Sequence, residues 1–238
     1  MKRHLFPFII FIVATFALSS CVLNIVEPGG EYISKEYNLN AFENISVSSG
    51  MELILTQDTA TAIRVETHEN LINHIIVKVV NKTLYFTKDI EILFKNPGIK
   101  VFVNVAYLEK IEVLGGSKLN FTSGWVTNDL ETDLSAGSSG RGNLALNELD
   151  IKLNSGSFAK FAGVANELNI EASGGSSFMG LGLDVLNGRA DLSLGSYAEI
   201  NASETLYAKG SGGSVIRYKG DPELIINTIG GASVIKIP

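Results

Sequence analysis

From Leu108 to Pro238 a glycine followed by a small residue returns again and again: Gly116-Ser117, Gly137-Ser138, Gly156-Ser157, Gly175-Ser176, Gly195-Ser196, Gly213-Ser214 and Gly231-Ala232. The recurrence, roughly 19 residues, falls within the range of stacked-coil architectures. Aligned on the small residue, Leu130, Leu149, Leu168, Leu206 and Leu224 share one column. Ile111, Ile151, Ile170 and Ile226, with Ala190 and Ala208, share the column two residues on. Between them stand Glu112, Asp133, Lys152, Glu171, Asp191, Lys209 and Asn227. The period within each coil is therefore two, which is the period of a strand with one face inward and one at water.

One such strand buries too little to stand alone. Stacked like on like, each coil covers its neighbour's aliphatic side chains at roughly 1.5–3 kcal/mol apiece when fully buried, which offsets the ordering cost only if the stack is continuous. The glycine column marks the corner where each coil turns, since glycine reaches positive φ without strain. A flexible Gly/Ser linker would have no reason to carry leucines in phase with its glycines.

Outside this repeat, Lys2 and Arg3 precede an apolar run from Leu5 to Leu18 that ends in small residues, the pattern of a signal peptide over residues 1–20. The run is short for a membrane span. Leu18-Ser19-Ser20-Cys21 resembles the lipobox of bacterial lipoproteins, and Cys21 is the sole cysteine. That resemblance implies acylation of Cys21, with enough hydrocarbon for stable membrane anchoring. Residues 21–36, with Pro28, Gly29 and Gly30, read as a lipidated tether. Residues 37–238 read as one domain, with regular coils from about Leu108. The net charge is −6 and no basic stripe is visible along the chain, so neither nucleic acid nor an anionic membrane surface is expected as a partner.

Between Tyr37 and Tyr107 the strand signal is less regular. Ile45-Ser46-Val47, Met51 to Leu55 and Ile63 to Thr67 alternate. Glu69 to Ile76 has the spacing of a short helical turn. Val77 to Phe86 reads as a hairpin turning at Asn81-Lys82, and Lys100 to Val105 as a further strand.

The pattern Phe42-x-x-Ile45-x-Val47-x-x-Gly50-Met51-Glu52-Leu53, followed by Leu71 to Val79, Leu84-Tyr85-Phe86, Val101 to Val105 and Leu108-x-x-Ile111-x-x-x-Gly115-Gly116-Ser117, resembles the putative auto-transporter adhesin, head GIN domain family. The resemblance implies an exported or lipid-anchored envelope protein of Gram-negative bacteria with a right-handed parallel β-helix-like solenoid. Together with the repeat, it gives an all-β expectation with a less regular N-terminal β portion. The expected location is the outer membrane, Val22 and Leu23 arguing against inner-membrane retention.

No nucleophile elbow, phosphate loop or dinucleotide fingerprint is present. His68 and His74, six apart, do not have metal-pair spacing, so neither a metal site nor a cofactor is expected. The carboxylates Glu112, Asp133, Glu171 and Asp191 share a column with Lys152 and Lys209, the composition of a charge-balanced solvated face. Polysaccharide-active enzymes do use stacked coils, but coils of nearly equal length have no insertion to wall a cleft. The expectation is a non-catalytic binding module.

Phe158, Tyr197, Tyr207 and Tyr218 occupy columns that point outward or stand near a corner, where rings can stack on sugars or dock a protein. The other reading is an envelope scaffold that self-associates through the last coil, whose edge ends Ser233-Val234-Ile235-Lys236-Ile237-Pro238.

Overall fold

The computed structural model describes residues 24–89, 92–95 and 98–238. The expected leader and Leu18, Ser19, Ser20 and Cys21 lie outside these residues.

Among the described residues twenty strands and one helical turn follow each other. The first half carries β1 (Asn24–Val26), β2 (Tyr32–Tyr37), β3 (Asn44–Val47), β4 (Glu52–Gln57), β5 (Ala62–His68), α1 (Glu69–Ile72), β6 (Ile75–Val80), β7 (Thr83–Lys88), β8 (Ile92–Phe94) and β9 (Lys100–Val105). The second carries β10 (Lys110–Val113), β11 (Lys118–Phe121), β12 (Trp125–Val126), β13 (Asp129–Leu134), β14 (Ser139–Leu153), β15 (Phe158–Ala172), β16 (Ser177–Leu192), β17 (Tyr197–Gly210), β18 (Val215–Lys219), β19 (Glu223–Thr228) and β20 (Ser233–Lys236). From β10 onward every pairing is parallel and joins one coil to the next. The result is a β-solenoid of about seven turns.

The columns read from sequence are the observed register. Leu130, Leu149, Leu168, Gly188, Leu206 and Leu224 stack in that order, and Thr132, Ile151, Ile170, Ala190, Ala208 and Ile226 stack beside them. Leu149, Leu168 and Leu206 are buried in one continuous core. The coils differ by a residue or two in length, and β-bulges absorb the difference: the register between β15 and β16 shifts after Lys160, and that between β16 and β17 after Gly180.

Each corner takes two successive residues through positive φ, as at Ser155 (56°) and Gly156 (73°). The corners bond to one another along the stack: Gly137 N–H donates to Ser155 O at 3.0 Å, and Gly156 N–H to Gly174 O at 2.9 Å. The serine that follows is buried in coil after coil, and the hydroxyls of Ser138, Ser157, Ser176 and Ser214 donate to backbone carbonyls. Ser138 Oγ donates to Val113 O at 2.7 Å and Ser157 Oγ to Asn154 O at 2.7 Å. A small hydroxylated side chain is thus the one that fits the space and answers the polar groups there.

Two boundaries differ from the sequence reading. Regular stacking begins before Leu108, because β3 and β4 pair in parallel with β10 and β11. Beneath them, β7 and β9 pair in parallel with β3 and β4, so Ile45 lies between Leu84 and Ile111. Stacking order departs from chain order here, and the repeat is hidden because the chain leaves to build a cap before it returns.

That cap is antiparallel: β5 pairs with β9 and β2, and β6 pairs with β7. It covers one end of the core, with Leu71 and Ile72 of α1 buried beneath it. The tether expectation for residues 21–36 also needs correction over its described part. β1 pairs with β8, β2 is an edge strand of the cap, and Gly29 N–H donates to Asn70 Oδ1 at 2.9 Å. Proline and glycine suggested a loose linker, but backbone pairing with distant partners overrides that local signal.

Candidate binding face

The half-coils that follow the glycine corners form one sheet face. Its first outward column runs Lys100, Glu52, Lys118, Ser139, Phe158, Ser177, Tyr197, Val215 and Ser233, and its second runs Phe102, Ile54, Asn120, Arg141, Lys160, Met179, Glu199, Arg217 and Ile235. Phe158 and Tyr197 therefore share a column two coils apart, about 9.6 Å at the spacing of neighbouring strands. Phe158 is 39% exposed. Tyr197 lies flatter: its hydroxyl donates to Glu199 Oε1 at 2.5 Å and Arg217 stands 5.8 Å from its ring centroid. Burial, then the bond to Glu199, raises its phenol above the usual tyrosine value.

The other two aromatic candidates are not brought to this face. Tyr207 belongs to the half-coils that precede the corners, where the Arg189 guanidinium stacks 4.6 Å from its ring centroid. Tyr218 continues the inward column of Ile200 and packs against the core. Its outward assignment is corrected: the residues between corner and tyrosine alternate, and register puts Arg217, not Tyr218, at the surface.

The expectation that no basic stripe exists is also corrected. On β11, β14, β15 and β16 the two outward columns hold Lys118, Arg141 and Lys160 and no carboxylate. These cations lie about 19 residues apart in the chain, so stacking alone makes them neighbours. Among the described residues none of the three has an ion-pair partner. Arg141 is nonetheless held: its Nε donates to Asn120 Oδ1 at 2.6 Å, and Asn120 Nδ2 donates to Glu52 Oε1 at 2.6 Å. The far edge of the guanidinium points away from these bonds.

The half-coils before the corners carry charge of the opposite character. Lys110 Nζ lies 2.7 Å from Asp133 and 3.3 Å from Glu131, Lys152 lies 2.8 Å from Glu131, and Lys209 lies 2.7 Å from Asp191. The hydrogen bond from Lys152, reinforced by Lys110, holds the Glu131 carboxyl below its ordinary value, and the bond to Asp133 drives the Lys110 ammonium well above its own. Asn169 bridges Glu148 at 3.0 Å and Asp150 at 2.8 Å. These carboxylates are engaged in contacts between coils, the charge-balanced face read from the columns.

At the capped end of the first face, a cleft of about 650 Å³ opens among Glu52, Lys88, Phe94, Lys100 and Lys118. Lys88 Nζ is turned to the Ile92 carbonyl there. His68 lies edge-on to Tyr32 and His74 against Phe94. Among the described residues no three His, Cys, Asp or Glu side chains converge as metal ligands, and no helix is long and apolar enough to cross a membrane.

The family model described as putative auto-transporter adhesin, head GIN domain, matches residues 41–222. Among solved structures, the chain is similar to a putative adhesin from Bacteroides fragilis NCTC 9343, at 20% identity and TM-score 0.80 over 89% of this chain and 100% of that one. It is similar also to a putative lipid binding protein from Parabacteroides distasonis ATCC 8503, at 17% identity and TM-score 0.73 over 90% of this chain and 100% of that one. A putative adhesin from Parabacteroides merdae ATCC 43184 gives 17% and 0.71 over 90% and 100%. At these identities the likeness shows the fold. No curated protein matches the chain.

Proposed function

Because the chain belongs to the putative auto-transporter adhesin, head GIN domain family, we propose that it is a non-catalytic envelope adhesin whose contact surface is the sheet face bearing Phe158 and Tyr197. The observation that carries this reading is the exposure of Phe158 on a flat, carboxylate-free stretch of that face, where a ring has no structural task to perform. Glu131, Asp133, Glu148, Asp150 and Asp191 of the other face are held by lysines and asparagines of neighbouring coils, which argues against their serving as a catalytic pair. Leu18-Ser19-Ser20-Cys21 supports attachment to the outer membrane through acylated Cys21.

The test is adhesion of cells or coated beads carrying the Phe158→Ala/Tyr197→Ala variant, with folding checked by circular dichroism. Binding should fall, and undiminished adhesion refutes the face. For the anchor, Cys21→Ser should abolish incorporation of a labelled fatty acid; retained label refutes acylation at Cys21.

A second reading, self-association, is favoured by the exposed aliphatic side chains of the coil that holds β19 and β20. Ile225, Ile226 and Ile229 of the last coil are 53%, 50% and 68% exposed, although Ile226 continues a column that is buried elsewhere. Light scattering should show a concentration-dependent oligomer that Ile226→Glu dissolves; a monomer at all concentrations removes this reading.

A further inference from the structure

We propose that Arg141, Phe158 and Lys160, flanked by Lys118, form a subsite for a uronate unit of a linear acidic polysaccharide. The inference rests on the adhesive face proposed above and names its ligand class.

Three observations converge on it. Arg141 and Lys160 stand on adjacent coils, about 4.8 Å apart along the stack, so two positive charges bracket one position. Arg141 is oriented in advance by the Glu52–Asn120–Arg141 chain of hydrogen bonds, which uses Nε and leaves the other edge of the fork for a carboxylate. Phe158 neighbours Lys160 on the same strand and offers a flat apolar surface, while Ser139 and Ser177, its in-register neighbours, add hydroxyls. A cation pair, a ring face and hydroxyls together match a sugar that carries a carboxylate.

The contrast between the faces gives the charge argument its force. Lys110, Lys152 and Lys209 are neutralised inside the fold, whereas the three cations here have no described carboxylate partner and are available to an anion from outside. The ligand is polymeric because the columns run on, with Tyr197 two coils beyond Phe158 and Arg217 beyond that. A single-stranded nucleic acid would want a ring for each successive base, whereas Phe158 is followed in its column by Ser177 and Tyr197 is bonded to Glu199; a single exposed phenylalanine is likewise little to insert into a membrane.

The experiment is calorimetric titration of the full chain with oligogalacturonate, its methyl ester, polyphosphate and single-stranded DNA at one ionic strength. Oligogalacturonate should bind, the uncharged ester should not, and polyphosphate and DNA should bind more weakly. Arg141→Ser and Lys160→Ser should each cost about tenfold in affinity, and Phe158→Ala about two- to tenfold. Lys209→Ser, on the other face, should change nothing. Circular dichroism confirms that each variant folds.

No binding of oligogalacturonate, or equal binding of its ester, overturns the acidic class, as does equal or tighter binding of polyphosphate or DNA. Should the ester bind in a Phe158-dependent way, the adhesive face survives while this inference fails. Adhesion insensitive to Phe158→Ala/Tyr197→Ala removes both.

Discussion

Two glycines on neighbouring stretches of the chain separate the conformational from the steric role of glycine in this solenoid. At Gly156, in a corner, φ is 73° and an added β-carbon would meet nothing within 4 Å. Gly156→Ala therefore carries only the left-handed backbone penalty, partly offset by a stiffer unfolded chain, for a net loss of roughly 1 kcal/mol. At Gly163, within β15, φ is 112° and the β-carbon would lie 2.0 Å from the Leu144 carbonyl oxygen of the coil below. That oxygen is backbone and cannot rotate away, so β14 and β15 must part. Backbone strain and the loss of about two ladder hydrogen bonds bring Gly163→Ala to about 4 kcal/mol. Urea unfolding followed by far-ultraviolet circular dichroism measures both, provided the slopes match the parent protein. Equal destabilisation by the two variants would show that close approach between coils is not what requires glycine at 163.

The ionic network predicts a pH dependence. Because Lys152, and then Lys110, hold Glu131 below the ordinary carboxylate range, its contribution is fully present above the unfolded value of about 4.3 and disappears as the pH falls through the lower folded value. Glu131→Gln should flatten acid destabilisation in that window, and an unchanged acid limb would exclude the network as its source. In the serine column, Ser138→Ala removes the bond to the Val113 carbonyl and should cost about 1 kcal/mol. Ser196→Ala, where the buried hydroxyl has no partner among the described residues, should be neutral or stabilising, and urea midpoints distinguish the two. Leu194 stands in a left-handed corner with φ of 53° and is 68% exposed. Leu194→Gly trades relief of about 1 kcal/mol of strain for a looser unfolded chain, so its midpoint should stay level or rise slightly; a clear fall would show that the leucine side chain contributes packing.

Much of the candidate face was open to sequence reading at the level of columns. Phe158 and Tyr197 both directly follow a corner serine, where the period-two pattern faces out. Tyr218 does not join them, because a tyrosine four residues beyond Ser214 falls on the inward phase. The Arg141–Lys160 pair has a usable signal, since the repeat alignment puts both three residues after a corner serine, on the outward phase, but charge viewed along the chain disperses them.

Period, alternation and corner residues are encoded within one coil and its successor, so the amino-acid order alone determined that leucines 149, 168 and 206 stack into one interior. It likewise determined the Asn81-Lys82 hairpin. Three things were decided only in three dimensions: that β7 and β9 slide beneath β3 and β4, that β1 and β2 are paired and not slack, and that a carboxylate-free cationic patch surrounds Phe158. Each depends on partners chosen across dozens of residues, where local propensity is silent and backbone hydrogen bonding with burial selects the pairing.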